Sequence, residues 1–209
     1  MEDVETRSQW SHLLGRAMAG ELEGAELEAL PAEMTDWQSW KARHPETDVL
    51  DMPRTARDFV RQDLEQPDRF TLGLKVGGVS VDYPFDALRT AKVVNDTAGK
   101  TGVVVTFDTA AAAARAFDRS IDGKKLTFEI ADADEDAESS DSDGAPDTVP
   151  AAVPGLRMRD RETGSVWRAA SGVCESGAFA GKALKMLPAI PSYIKAWRVF
   201  YPASRTFEE

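Results

Sequence analysis

The chain predicts an α+β fold built mainly from antiparallel β hairpins, with a few short helices packed on or beside the sheet. Three observations predict it. Gly77-Gly78 lies between two runs rich in β-branched and aromatic residues, 70–76 and 79–85, and supplies the positive φ that a two-residue hairpin turn demands. Similar apolar runs recur over 92–108 and 115–130, each broken by a glycine-bearing turn. Helical periodicity is confined to short stretches, two of which stop before a proline.

In chain order, 35–44 (TDWQSWKARH) reads as a short helix capped by Thr35 or Asp36 and stopped before Pro45. A second helix is expected over 55–65, with Phe59, Val60 and Leu64 on one side. The hairpin 70–85 follows, then 92–108 with TAGKTG as its loop, and 115–130 with Asp122-Gly123 at the turn. The alanine run Ala110–Ala114 between the last two is expected to form one helical turn. Residues 131–152 combine low complexity with high charge and read as a disordered surface loop. A calcium loop is a poorer reading, because the glycine and closing glutamate such a loop needs are out of place. Short strands are expected at 156–160 and around Trp167. A last helix, 192–201, has Ser192 at the capping position and ends before Pro202, with Ile194, Trp197, Val199 and Phe200 on its buried face; Trp37 and Trp40 do the same for 35–44.

The chain also repeats itself. Residues 3–50 match 160–207 at a constant offset of 157, with 14 identities in 48 positions, against roughly 3 expected from ordinary composition. Asp3, Glu5, Thr6, Ser8 and Trp10 return as Asp160, Glu162, Thr163, Ser165 and Trp167. Gly15, Gly20 and Gly24 return as Gly172, Gly177 and Gly181, Leu27 and Leu30 as Leu184 and Leu187, and Trp40 as Trp197. One long-period repetition denotes a duplicated domain rather than a solenoid. Residues 1–50 are therefore expected to be the closing part of a first, truncated copy, and 51–209 a complete second copy. The repeated glycines imply a backbone need, either positive φ or close strand approach. The repeated indoles imply core packing. The Asp-x-Glu-Thr-x-Ser cluster implies turn capping, with a functional site as the alternative.

Bulk properties exclude several function classes. Net charge is −11, but residues 132–147 hold eight acids and no base, which leaves 25 basic against 28 acidic residues elsewhere, a balance of −3. No basic stripe exists to neutralise phosphates, so nucleic acid is not an expected partner. No apolar run is long enough to span a membrane. The start, MEDVETRSQW, is acidic and lacks the apolar stretch of a signal peptide. The chain reads as a soluble, folded protein of undetermined compartment; export stays open, because the opening part of the first copy is expected upstream of Met1.

Chemistry has few candidates. His12 and His44 lie in the first copy, without a second ligand at helix or strand spacing, and no metal or cofactor site is expected. Cys174 aligns with Ala17 and reads as a small buried side chain. No phosphate loop, nucleophile elbow or dinucleotide fingerprint occurs. Asp96, Asp118 and Asp160 are the candidate acid–base residues, and Asn95, Arg119, Arg161 and Glu162 the candidate ligand-binding ones.

The string DRETGSVW, then G-x4-G-x3-G-x2-L-x2-LP and a W…P ending, resembles the bacterial domain-of-unknown-function family 3179 (DUF3179). The resemblance extends upstream through VDYPFDAL, VVND and VVVTF…ARAFDR, and so spans the second copy almost throughout. Members of that family resemble H-E-x-x-ND before the second hairpin and Y-C-P-x-C at its end. Here those stretches read RTAKVVND and TFDTAAAAARAF: Asn95 and Asp96 are kept, His and Cys are not. The resemblance thus implies a degenerate copy without thiol or imidazole chemistry. The leading expectation is a non-catalytic structural or binding module, whose partner is the rest of the first copy or a homo-oligomer contact through residues 1–50. One alternative is an enzyme acting on a small polar substrate, which requires Asp96, Asp118 and Asp160 to share a cleft. Another is an envelope-associated interaction protein.

Overall fold

A computed structural model describes residues 1–50, 67–131 and 155–208. The expected helix over 55–65 and the acidic tract from residue 132 lie outside these residues. The rest is mostly antiparallel β with three seven-residue helices.

The first 50 residues form a hairpin, β1 (Gln9–Ser11) and β2 (Arg16–Ala19), and helix α1 (Trp37–Arg43). Asp36 caps α1, its carboxylate accepting the Ser39 backbone N–H at 2.8 Å. A 3₁₀ turn, Pro67–Arg69, leads into β3 (Phe70–Val76), which pairs with β4 (Val79–Pro84) across the Gly77-Gly78 turn, as expected. Helix α2 (Phe85–Ala91) follows, then β5 (Val93–Ala98) and β6 (Thr101–Asp108), joined by a tighter turn than the expected six-residue loop.

The alanine run departs from expectation. The Asp108 carboxylate accepts the N–H groups of Ala110 and Ala111 in a tight turn, and Ala112 takes a left-handed φ of 48°. Ala113 and Ala114 then enter β7 (Ala113–Asp118), which returns along β6. The long third hairpin shrinks accordingly to β8 (Ser120–Ile121) and β9 (Lys124–Lys125) around Asp122-Gly123. Strand β10 (Phe128–Ile130) instead forms the edge of a four-stranded sheet, pairing with β11 (Arg157–Asp160), beyond which lie β12 (Val166–Arg168) and β13 (Cys174–Ser176). The chain closes with β14 (Ala189–Tyr193), α3 (Ile194–Phe200) and β15 (Arg205–Thr206). Ser192 is a strand residue and does not cap α3; the helix starts after Tyr193. Of the apolar residues assigned to the buried faces, Trp197 is buried, whereas Trp37, Val199 and Phe200 are exposed.

Two sheets stack on the β5-β6-β7 sheet, one on each face. Val103, Val105 and Phe107 of β6 join one core with the β14-β3-β4-β15 sheet and α2, whereas Val104 joins a second core with the β10-β11-β12-β13 sheet. Alternation on β6 therefore divides side chains between two dry layers. This is why its sequence reads as one unbroken apolar run. Segment 185–187 continues along β7, with Leu187 N–H donating to Ala116 O and Asp118 N–H to Lys185 O, each at 2.8 Å. It carries the chain from the second core to the first.

Candidate functional site

The repeated polar residues build the same frame twice. In the second copy the Asp160 carboxylate accepts three donors: the Thr163 backbone N–H (2.7 Å), the Thr163 hydroxyl (2.8 Å) and the Trp167 indole N–H (2.8 Å). The Thr163 hydroxyl also meets Ser165 Oγ at 2.7 Å. In the first copy Asp3 accepts the Thr6 N–H (2.6 Å), the Thr6 hydroxyl (2.8 Å) and the Trp10 indole (2.9 Å), and Thr6 Oγ1 meets Ser8 Oγ at 2.7 Å. A bulge just before the tryptophan recurs in both hairpins.

Gly20 and Gly177 have φ of 102° and 101°, and a Cβ on either would come within 2.7 Å of the Cα of Ser8 or Ser165. Glycine is required there twice, for one reason. Each copy carries a seven-residue helix near its end, α1 and α3. Trp40 Nε1 donates to Thr47 Oγ1 (3.1 Å) and Trp197 Nε1 to Ser204 Oγ (2.9 Å), and His44 and Tyr201 pack on those indoles with ring centroids at 4.2 and 4.1 Å.

The covering of the two frames differs. In the second copy Phe128 of β10 stands edge-on to Trp167 at 5.8 Å, and Phe117 of β7 lies so close to Gly172 that a Cβ there would sit 2.9 Å from its ring. The first copy has no such layer among the described residues. Leu27 and Leu30 are 52% and 70% exposed, against 4% and 5% for Leu184 and Leu187. A groove of about 360 Å³ opens there, lined by Met1, Asp3, Glu5, Trp10, Leu22 and Leu27.

The candidate acid–base residues take separate stations. Asp96 and Asp118 flank Val103 from either side of β6, on the same face of the sheet and roughly 10 Å apart at Cα. Asp160 belongs to another sheet and is fully buried. Asp96 accepts the Tyr83 hydroxyl (2.8 Å) and is paired with Arg205. Burial pushes its carboxyl up, but the hydrogen bonds from Arg205, the Thr97 N–H and Tyr83 outweigh that and hold it below its ordinary value. Burial and the neighbouring carboxylate push the Tyr83 phenol up. Asp118 accepts the Ser120 N–H at 2.9 Å.

The candidate binding residues are stitches between strands. Asn95 clasps the Phe128 backbone, donating to its carbonyl (2.6 Å) and accepting its N–H (2.8 Å), which ties β5 to β10. Arg119 donates to the carbonyls of Asp96 (3.3 Å) and Leu126 (2.7 Å). Arg161 pairs with Glu129 at 2.8 Å, and the Glu162 carboxylate accepts the Thr127 N–H at 2.8 Å. Cys174 is buried, its Sγ donating to Ser176 O, and burial pushes the thiol up. Among the described residues no three of His, Cys, Asp or Glu gather as metal ligands, and no helix is long and apolar enough to cross a membrane.

Sequence reasoning missed one pair. Arg115 of β7 is buried and bonded to Glu33, which also holds Arg43, so the first copy is pinned to the second. Burial pushes the Glu33 carboxyl up, and the two guanidiniums hold it below its ordinary value nonetheless. A lone arginine inside the apolar run AAAARAF was the available signal. Tyr201 adds a second tie, its hydroxyl donating to Leu13 O at 2.7 Å.

The family described as Protein of unknown function (DUF3179) matches twice, over residues 1–66 and 59–133. The chain belongs to the DUF3179 family. No curated protein and no solved structure matches it. The two DUF3179 matches take in the Trp10 frame, the Gly77-Gly78 hairpin, the Asn95-Asp96 stitch and β10.

Proposed function

We propose that this DUF3179 chain is a non-catalytic structural or binding module: residues 1–50 are the closing part of a first repeat copy, and 51–209 form a second copy without reactive groups. The observation that carries the reading is how its polar residues are engaged. Asn95, Asp96, Asp160, Thr163 and Ser165 all bond to backbone or to neighbouring side chains within the fold. The carboxylates an enzyme would need in one cleft belong to two different sheets. The buried, raised thiol of Cys174 supports the same reading, since a reactive cysteine needs an accessible thiolate.

Calorimetric titration of the whole chain with zinc, nickel, copper and manganese tests it. The expected result is no stoichiometric uptake. A tight one-to-one isotherm would contradict the reading and return attention to a catalytic centre.

A further inference from the structure

The second copy shows what covers the frame that the first copy leaves open. Strand β10 lies antiparallel along β11, with Phe128 opposite Asp160, Glu129 opposite Arg159 and Ile130 opposite Met158. Arg161 N–H donates to Thr127 O (2.9 Å), Ala131 N–H to Arg157 O (3.0 Å), and the Glu162 carboxylate takes the Thr127 N–H. Phe128 then covers Trp167. At the offset of 157, Met1–Asp3 is the counterpart of Met158–Asp160, and Glu5 that of Glu162. Backbone bonds between Trp10 and Met1 hold Met1 beside Trp10, as Met158 sits beside Trp167. Among the described residues the far edge of Met1–Asp3 has no strand on it, and Glu5 holds no backbone N–H.

We propose that this edge and the groove beside Trp10 receive one antiparallel, β10-like strand of a DUF3179 polypeptide that is not a second copy of this chain, whose own β10 is already held by β11. The inference rests on the repeat reading above. The retained groups define the strand. A Phe stands over Trp10, Leu22 and Leu27, and the preceding residue gives its N–H to Glu5. Charge defines one more position. In the second copy Glu129 lies opposite Arg159 and is bonded to Arg161. Their first-copy counterparts are Glu2 and Val4, so the incoming strand carries a basic residue where β10 has glutamate. Among the described residues the Glu2 carboxylate is held by exposed Arg7 alone (2.9 Å), a pair of little worth that a cross-strand partner can replace.

The test titrates the whole, isotope-labelled chain with two eight-residue peptides, residues 124–131 (KKLTFEIA) and the same peptide with Glu129→Lys, followed by NMR. The expected result is a saturable shift of the Trp10 indole and the Val4 amide, with the Trp167 indole unmoved. The lysine peptide should bind on the order of fivefold tighter, since it turns a like-charged cross-strand pair into an opposite one. Leu22→Lys and Leu27→Lys, both at exposed positions, should abolish the shift while the Trp167 signal reports an intact fold. No saturable shift, binding that survives both substitutions, or equal affinity for the two peptides would overturn the proposal. Sedimentation showing a dimer of the free chain that Leu22→Lys dissolves would also overturn it, naming a second copy as the occupant. A failed peptide titration leaves the non-catalytic reading intact, because only the metal titration bears on that.

Discussion

The hairpin around Trp10 and the hairpin around Trp167 have one hydrogen-bonded frame and two environments. Donors, acceptors, bulge and glycine φ values agree residue by residue, yet Leu184 and Leu187 are buried where Leu27 and Leu30 face water. The difference separates two kinds of structural information. The frame is local: Asp, Thr, Ser and Trp within eight residues satisfy one another and need nothing distant. Burial is remote, because the residues that cover Trp167 come from strands about 40 to 50 positions earlier in the chain.

The sharpest way to break the comparison is to truncate the two indoles. Trp167→Ala is expected to cost about 3–5 kcal/mol, the range for a large aromatic removed from a sealed core. Trp10→Ala should cost about 1 kcal/mol, because among the described residues no second layer covers its frame. Urea unfolding of the two variants side by side measures the gap, and equal losses would mean that the first copy is as well covered as the second.

Next in size is the ion pair that ties the copies. Glu33→Gln leaves the Arg115 guanidinium buried beside a neutral partner, and breaking such a pair costs about 3 kcal/mol. Replacing Arg115 and Glu33 together with apolar residues of similar volume should recover most of that loss in the same unfolding assay. Failure to recover would show that the pair does more than fill its site.

A smaller effect sharpens the contrast. Glu162→Gln weakens a charge-assisted bond to the Thr127 N–H and should cost about 1 kcal/mol. Glu5→Gln should leave thermal stability unchanged, because among the described residues no backbone N–H meets Glu5 as Thr127 meets Glu162.

The last expectation concerns pH. The Trp10 indole and the Thr6 N–H hold the Asp3 carboxyl at about 2, below the roughly 3.9 of an unfolded chain. A lowered carboxyl stabilises the frame fully above the unfolded value, and that stabilisation is lost as pH falls through the folded one. The Trp10 indole resonance should therefore hold to about pH 4 and move toward its unfolded position as pH nears 2. A midpoint at or above 4 would contradict the bond.

Much of this was legible in the sequence, and what was not has physical causes. The internal repeat exposed the frame, and Gly77-Gly78 exposed the first hairpin, because both are local signals. Ala110–Ala114 misled, because alanine favours helix in isolation, whereas here Asp108 closes a turn and Ala113 and Ala114 enter β7 as fully buried strand residues. Helix α2 went unseen because its seven residues follow Pro84 directly and offer little periodicity. Asn95 and Asp96 stood out as polar residues, but their partners Phe128 and Arg205 lie 33 and 109 positions away, and no spacing rule reaches that far. The candidate acids were therefore visible as residues but not as stitches.

Among the described residues, one frame exists twice and is covered once. Hydrogen exchange of the two indole N–H groups, resolved by NMR in the intact chain, tests it most directly. Both donate to a carboxylate at nearly the same distance, 2.9 and 2.8 Å, so the bond itself should protect them equally. The Trp10 proton should exchange by local opening, and the Trp167 proton only on the timescale of global unfolding. Equal protection of the two would contradict it.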